Sequence, residues 1–275
     1  MTATEPGRPA PARGSETVAR VISSLVLGVL ALLAALAGGW PAATFLAIAL
    51  GIVHLEWARI TDRSPWPTAV FTAGLVIAVA MVAIGYVVGG LMIVAIAIGT
   101  SALTMRVWRP VGVAYVSTLG IGLLLIRLSP DEGLRAVLLI LLAVVATDTA
   151  AYFVGRAIGG AKLWPEVSPN KTRAGAIGGL VGAILVGIVA AMVMGLTPSP
   201  QLIAVIAGLS VASQAGDLFE SWVKRRFGVK DSGRLIPGHG GLMDRVDGLV
   251  FATAFALAVG WLHGGADLAA GLILW

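Results

Sequence analysis

The chain has no cysteine and few charged residues, and each shortage excludes a class of protein. Without cysteine there is no disulfide framework, no thiolate metal site and no cysteine nucleophile. Only 12% of the 275 residues are Asp, Glu, Lys or Arg, whereas 58% are hydrophobic. Because so few polar side chains cannot cover a water-soluble globule, the composition predicts a polytopic membrane protein.

Apolar runs that are long enough to cross a bilayer recur along most of the chain. With about 20 residues per span, nine transmembrane helices are predicted, and eight is the alternative because the second, fourth and ninth runs are short. The predicted spans are 18–38, 41–56, 66–87, 90–105, 110–127, 135–155, 174–196, 201–223 and 248–263. The fold class is therefore expected to be all-α.

The composition divides the chain into three parts. Residues 1–17 are rich in Pro, Ala and polar groups and are expected to form a disordered cytoplasmic tail. Residues 18–130 carry the N-terminal transmembrane helices, and residues 131–275 carry the C-terminal helices together with the longest polar loops. We therefore expect the catalytic region to be the C-terminal part.

Lysine and arginine are concentrated on one side of the predicted spans. If the N-terminus is cytoplasmic, every Lys and Arg except Arg127 and Arg135 falls in a cytoplasmic segment. These segments are the tail up to Arg20, 57–65, 106–109, 156–173 and 224–247. This asymmetry follows the positive-inside rule. We attribute the net charge of +5 to these loops rather than to nucleic-acid binding, and expect an inner (plasma) membrane protein with its active site facing the cytoplasm.

Three acidic residues lie inside predicted spans. Asp148, Asp217 and Glu220 are expected to be functional, because an acid inside the membrane is costly unless it faces a partner or a polar cavity. An interhelical hydrogen bond is the alternative for Asp148. Asp217, Glu220 and Lys224 are spaced i, i+3 and i+7, which places them on one helix face.

Glu56, at the end of the second predicted span, receives a different interpretation. It is close in sequence to His54 and Arg59, and all three are near the expected membrane boundary. Since charged groups at such a boundary can reach the interface, we interpret Glu56 as part of an interfacial charge pairing.

The most polar stretch is SWVKRRFGVKDSGRLIPGHGGLMDRVDG, residues 221–248, with six Lys or Arg and three Asp. Asp244 and Asp247 share a helix face because they are three residues apart, and Arg245 lies between them. Carboxylates without His or Cys partners favour Mg²⁺, which binds through one or two carboxylates together with substrate phosphates. Many cations beside these carboxylates indicate a site for polyphosphate substrates.

A second basic stretch, SPNKTRAG at residues 168–175, precedes a glycine-rich apolar run. Ser168, Lys171 and Thr172 are thus predicted to stand at a helix N-terminus, where free amides and the helix dipole favour phosphate. The stretch lacks the G-x-x-x-x-G-K-[ST] spacing of a Walker A loop. A lipid-headgroup contact or a topology signal is the alternative interpretation.

The polar residues of the C-terminal part resemble the signature of the phosphatidate cytidylyltransferases, the CDP-diacylglycerol synthases. The matching elements are Ser221-x-x-Lys224-Arg225, Lys230-Asp231, Pro237-x-His239-Gly240-Gly241 and Asp244-Arg245-x-Asp247, preceded by DTAAYFVGR (Asp148 to Arg156) and SPNKTRAG (Ser168 to Gly175). The resemblance covers roughly residues 148–248. It implies that CTP and phosphatidic acid are converted to CDP-diacylglycerol and pyrophosphate for phospholipid biosynthesis, with Mg²⁺, by an all-helical homodimer.

The same resemblance, together with the chemistry of the residues, suggests individual roles. The expected metal ligands, for one Mg²⁺ or for a second metal ion as well, are Asp217 and Asp244, with Asp247, Asp148 and Glu220 as further ligands or supporting groups. The expected phosphate-binding cations are Lys171, Lys224, Arg225, Lys230 and Arg245. The residues expected to be catalytic are Asp217, Asp244, Lys224 and Arg245. Further substrate contacts are expected from Ser168, Thr172, Ser221, His239, Gly240 and Gly241.

Three alternative functions share some of these features. A CTP-dependent polyprenol or phytol kinase and a CDP-archaeol-type synthase use a similar set of cations and acids on another lipid. An ion-coupled transporter also contains acids within the membrane. The transporter is disfavoured because the polar residues gather in two loops on one side rather than at discontinuous helices near the bilayer midplane.

Overall fold

The computed structural model describes residues 13–62, 64–104, 106–233, 235 and 240–275, and these are almost entirely helical. The helices of the first half are α1 (Arg13–Ala37), α2 (Gly39–Thr61), α3 (Pro65–Ala83), α4 (Val87–Ala102), α5 (Trp108–Ser117) and α6 (Leu123–Arg127), with a π-helical segment at Thr118–Gly122 between the last two. The helices of the second half are α7 (Gly133–Ile158), α8 (Arg173–Val193), α9 (Pro200–Arg226), α10 (Met243–Gly264) and α11 (Leu268–Ile273).

The prediction of an all-α polytopic membrane protein is confirmed. Within the described residues, seven helices are long and apolar enough to cross a membrane. They are Gly39–Thr61, Pro65–Ala83, Trp108–Arg127, Gly133–Ile158, Arg173–Val193, Pro200–Arg226 and Met243–Gly264. Of the other two predicted spans, 18–38 falls on the 25-residue helix α1, and 90–105 corresponds to the 16-residue helix α4. The 16 residues of α4 rise only about 24 Å, less than the hydrocarbon thickness.

The predicted parts of the chain are less distinct in the structure. Helix α1 begins at Arg13, within the expected tail, and residues 1–12 lie outside the described residues. Val223 and Met243 of the C-terminal part pack into the same buried core as Leu50 and Trp57 of α2. The division at residue 130 stays a prediction, since the two parts share this core.

The segment between α7 and α8, predicted as a loop, contains a β-hairpin. Strands β1 (Lys162–Trp164) and β2 (Ser168–Thr172) pair antiparallel, with Lys162 opposite Thr172. The amide of Arg173 donates to the carbonyl of Ala161 at 2.9 Å, which joins the hairpin to the start of α8. The hairpin therefore fixes the position of β2 relative to the helices.

Helices α9 and α10 pack closely because glycines face the opposite helix. A Cβ at Gly216 of α9 would lie 2.5 Å from the carbonyl oxygen of Asp247, and one at Gly248 of α10 would lie 3.1 Å from the carbonyl oxygen of Ser213. Only a residue without a side chain permits this approach. The close packing brings the neighbouring Asp217 to the same level of the bundle as Asp247.

Two of the basic segments predicted to share one side, 57–65 and 106–109, lie at the same end of the bundle. Asp62, after α2, forms ion pairs with Arg106 at 2.9 Å and with Arg109, both between α4 and α5. The indole nitrogen of Trp57 donates to the carbonyl of Trp108 at 2.9 Å, which joins α2 to α5 at the same end. Burial alone would raise the pKa of Asp62, but hydrogen bonds and charge from the two arginines hold this pKa below its ordinary value.

Candidate active site

Asp244, in the first turn of α10, is held by donors from three parts of the chain. Its carboxylate accepts hydrogen bonds from Lys224 Nζ at 2.7 Å, the Ser232 amide at 3.0 Å, the Ser232 hydroxyl at 2.9 Å and the Gly241 amide at 2.8 Å. We call Asp244, Lys224, Ser232 and Gly241 the Asp244 cluster. The carboxylate is thereby fixed in one orientation, with only 7% of its side chain exposed.

Lys224 joins the Asp244 cluster to Glu220, one turn earlier on α9. Its ammonium lies 2.7 Å from Glu220 Oε2 and 2.7 Å from Asp244 Oδ1. Glu220 is fully buried, and its Oε1 has no hydrogen-bond partner among the described residues. The predicted face of Asp217, Glu220 and Lys224 is thus confirmed in part, because Lys224 and Glu220 interact directly.

Glu56 of α2 is the principal residue that the sequence analysis misinterpreted. Its carboxylate accepts hydrogen bonds from the backbone amides of Leu242 at 3.0 Å and Met243 at 2.7 Å, and from the Ser232 hydroxyl at 3.3 Å. The side chain is 2% exposed. Because the first amides of a helix lack partners within the helix, this carboxylate caps α10 from a distant part of the chain.

The interpretation of Glu56 as part of an interfacial charge pairing is therefore wrong. His54 hydrogen-bonds Thr72 Oγ1 at 2.7 Å, and Arg59 is exposed. The partners of Glu56 lie 176 to 187 positions away in sequence, so no local spacing could reveal them. The available signal was an acid beside a predicted span, which is costly unless it is paired.

Lys171 and Asp217 form the second charged contact of the site, which we call the Lys171–Asp217 pair. The ammonium of Lys171, on β2, pairs with Asp217 Oδ2 on α9, and the Ser221 hydroxyl donates to Asp217 Oδ1 at 3.4 Å. Both charged side chains are about one-third exposed, at 30% and 28%. The hairpin thus brings a phosphate-binding candidate directly to an expected metal ligand.

The remaining acids lie between these two groups. Asp247 interacts electrostatically with Asp217, Glu220 and Asp148, while the Gly248 amide donates to Asp247 Oδ1 at 2.8 Å. Asp148 of α7 interacts in the same way with Asp217, Lys171 and Arg245. Helices α7, α9 and α10, which carry these acids, pack against one another. That the acids share one metal ion stays a prediction.

Several predicted substrate-binding residues have other contacts. The Thr172 hydroxyl accepts the Gly175 amide at 3.0 Å, as an N-cap of α8, and the exposed Arg225 donates to the Val229 carbonyl at 3.3 Å. Lys230 is exposed, whereas Ser168 begins β2 opposite Trp164. His239 lies outside the described residues. Their roles toward a substrate stay predictions.

The two glycines of the loop before α10 are required by close contacts. Gly240 has φ +85°, and a Cβ there would lie 2.6 Å from Asp244 Oδ2. A Cβ at Gly241 would lie 2.6 Å from Glu56 Oε2. The Gly241 amide, which the sequence assigned to substrate, already donates to Asp244. In this structure the glycines therefore position carboxylates.

The donor set suits a hard divalent cation. Among the described residues no three His, Asp or Glu side chains form a ready group of metal ligands. Mg²⁺ does not require such a group, because it usually keeps several waters and adds one or two carboxylates and substrate phosphates. Glu220 Oε1, which has no hydrogen-bond partner among the described residues, is the one feature beside the Asp244 cluster that a cation or a bound water would satisfy.

An all-helical membrane protein with acids and cations gathered at one end of its bundle has the features of a membrane enzyme that handles phosphates. Residues 18–263 match the family described as the cytidylyltransferase family, so the chain belongs to that family of nucleotidyltransferases. This confirms the resemblance found in the polar signature residues.

The chain is also similar to individual members whose names are more specific. The phosphatidate cytidylyltransferases of Brucella suis and Brucella melitensis are each 39% identical over 261 residues, which cover 90% of this chain and 95% of the relative. The phosphatidate cytidylyltransferase of Staphylococcus epidermidis is 49% identical over 140 residues, which cover 50% of this chain and 53% of the relative.

Proposed function

We propose that this protein transfers the cytidylyl group of CTP to phosphatidic acid, forming CDP-diacylglycerol and pyrophosphate. The family match and the near full-length similarity to enzymes named phosphatidate cytidylyltransferase support the proposal. The observation that carries it is the meeting of Lys171, Asp217, Lys224 and Asp244 at one end of the helices.

The chemistry of this reaction matches the residues. A phosphate oxygen of phosphatidate attacks the α-phosphorus of CTP, a new P–O bond forms, and the bond between the α-phosphorus and the bridging oxygen breaks to release pyrophosphate. Because the nucleophile is already anionic, the main requirements are to hold two polyanions together and to stabilise the departing charge. Fixed cations can do both without a general base.

Asp217, Asp244 and Asp247 are the residues that would hold Mg²⁺, with Asp148 and Glu220 as additional or supporting groups. When bound, the ion would neutralise phosphate charge. Lys171 is exposed enough to reach a phosphate, and Lys224 already points between two carboxylates. Arg225, Lys230 and Arg245 complete the proposed phosphate contacts. Ser168, Thr172, Ser221 and His239 are proposed as further substrate contacts.

The proposed location is the inner membrane, with the active site facing the cytoplasm. The basic segments at the end of the bundle that carries the site support this orientation under the positive-inside rule. Cytoplasmic CTP would then reach the site directly, while phosphatidate arrives from the adjoining leaflet. A homodimer is proposed on the family resemblance alone.

The test is the identity of the products formed by the purified protein in mixed micelles. With CTP labelled at the α-phosphate, we expect label in a chloroform-soluble lipid and equimolar pyrophosphate, only when phosphatidate and Mg²⁺ are both present. Release of CDP with transfer of the γ-phosphate would instead identify a lipid kinase and overturn the proposal. A product formed with a polyprenol or an archaeol phosphate but not with phosphatidate would also overturn it.

A further inference from the structure

A cavity of about 340 Å³ lies beside the candidate active site, between α1, α2, the Trp108–Arg127 span, α7 and α10. Its walls are apolar apart from two arginines, Arg127 and Arg245. The α1 wall contains small residues, among them Gly28, Ala31 and Ala34. Because these residues carry so little side-chain volume, the space between α1 and the other helices remains open.

The cavity extends from the active site toward the other end of the bundle. Arg245 follows Asp244 in the first turn of α10, so the cavity adjoins the Asp244 cluster. The span Trp108–Arg127 has 20 residues. Its first residue, Trp108, lies near the active-site end of the bundle, so its last residue, Arg127, lies at the other end. Such a helix rises about 30 Å, which is the thickness of the hydrocarbon core.

We propose that this cavity holds an acyl chain of the lipid substrate, with the lipid phosphate at Arg245. The proposal rests on the proposed function, in which a diacyl lipid phosphate brings its headgroup to the Asp244 cluster. A guanidinium matches a phosphate in charge and geometry. The apolar walls offer no partners that would hold water, so the interior suits hydrocarbon.

The physical basis of this binding is packing. An acyl chain that moves from bilayer hydrocarbon into an apolar cavity was not in contact with water beforehand. The transfer therefore gains no hydrophobic free energy. It gains dispersion contacts in proportion to the length of chain that fits the walls. The cavity is therefore expected to set the acyl-chain preference of the enzyme, and its filling should penalise long chains more than short ones.

Gly28 is a position at which the cavity can be filled with little strain. It lies on α1, it lines the cavity, and a Cβ there would meet no protein atom within 4 Å. For Gly28→Phe we expect the KM for dioleoyl phosphatidate to rise by about tenfold relative to that for dioctanoyl phosphatidate. The short-chain substrate reports whether the variant is folded and catalytically competent.

Gly99 of α4 provides the matched control. It is also an exposed helical glycine whose Cβ would meet nothing within 4 Å, but it does not line the cavity. Gly99→Phe adds the same side chain and the same gain in helix propensity. We expect its ratio of KM values for the two lipids to equal that of the wild-type protein.

A second pair of variants keeps the test decisive if Gly28→Phe does not fold. Val145 lines the cavity and Val189 of α8 does not, although each is 60% exposed. Val145→Trp should shift the ratio of KM values and Val189→Trp should not. If the ratio of KM values is unchanged in both cavity variants, the proposal is overturned. If activity falls equally with both lipids, the cavity holds a structural lipid instead, and the proposal is overturned as well. If the wild-type protein used neither phosphatidate, the proposed function would fail as well.

Discussion

The two charged groups of the site differ in how firmly they are held. Asp244 has 7% of its side chain exposed and accepts hydrogen bonds from a lysine, a hydroxyl and two amides. Asp217 and Lys171 are about one-third exposed, and within the described part of the chain Ser221 is the only further hydrogen-bond donor to Asp217. The difference indicates that Asp244 is a fixed element of the site, whereas Lys171 is free to exchange its carboxylate partner for a substrate phosphate.

The helices next to these two groups differ in how their N-termini are capped. The N-terminus of α8 is capped by its own Thr172, so β2 and α8 are stabilised locally. The N-terminus of α10 is capped by Glu56, which lies on α2. The position of Asp244 therefore depends on the N-terminal helices, and the position of Lys171 does not.

The largest effect is expected from Asp244→Asn. The asparagine amide group would face donors such as Lys224 Nζ and the Gly241 amide, and the charge that the proposed metal requires would be lost. We expect the turnover of labelled CTP into lipid to fall by about a thousandfold. Asp267→Asn is the control, because Asp267 caps the short helix α11 at the opposite end of the bundle. Near-native turnover in Asp244→Asn would contradict the metal assignment.

Glu56→Gln should have the next largest effect, although Glu56 belongs to the N-terminal helices. The carbonyl oxygen of the glutamine can still accept one hydrogen bond. Its NH₂ group, however, would face a backbone N–H of α10, so two donors would meet without an acceptor. We expect turnover to fall between about tenfold and a hundredfold, since a small displacement of the reacting groups is sufficient. The thermal unfolding temperature should also fall, because a buried donor left unpaired costs about 1–3 kcal/mol.

Glu56→Asp separates positioning from stability. The shorter acid keeps the charge that caps α10 but withdraws the carboxylate from the helix. If Glu56 acts through Asp244, this variant should recover more stability than turnover, and the remaining loss should lie in kcat rather than in the KM for CTP. Equal recovery of both quantities would show that Glu56 only stabilises the fold.

A third test compares two glycines with the same backbone conformation. Gly240 and Gly160 both have φ +85°, but only a Cβ at Gly240 would contact Asp244, whereas one at Gly160 would meet nothing within 4 Å. Both Ala variants bear the cost of the left-handed backbone, about 1–2 kcal/mol. Gly240→Ala should lose about tenfold more turnover than Gly160→Ala. Equal losses would mean that the contact with Asp244 has no effect.

Lys171→Gln should have the smallest effect on turnover. An exposed ion pair contributes at most about 1 kcal/mol, so we expect little change in stability and a rise of about fivefold in the KM for CTP. Lys162→Gln, on the paired strand β1, is the control for loss of charge in the hairpin. A loss of kcat as large as that of Asp244→Asn would show that the Lys171–Asp217 pair is as fixed as the Asp244 cluster.

Much of the site could be predicted from the sequence because its signals are local. The spacing of Asp217, Glu220 and Lys224 fixes a helix face, and Thr172 before a glycine-rich run is a recognisable N-cap. The β-hairpin was missed because its strands are three and five residues long, too short for a clear alternation.

The long-range contacts could not be predicted in this way. The role of Glu56 depends on how α2 packs against α10, which no periodicity in either helix specifies. The predicted fourth span, 90–105, has the same length as α4 but lies three residues too far along the chain, because a hydropathy window does not locate the turn around Gly85. Tertiary packing and turn geometry decided both points.

The most direct measurement is the binding of Mn²⁺, in place of Mg²⁺, to the purified protein with CTP, followed by electron paramagnetic resonance. The variants are Asp217→Asn, Asp244→Asn and the double variant. If both acids hold one ion, each single variant weakens Mn²⁺ binding and the double variant weakens it at least as much as either single one. A single variant that binds Mn²⁺ as tightly as the wild-type protein would contradict a shared ion.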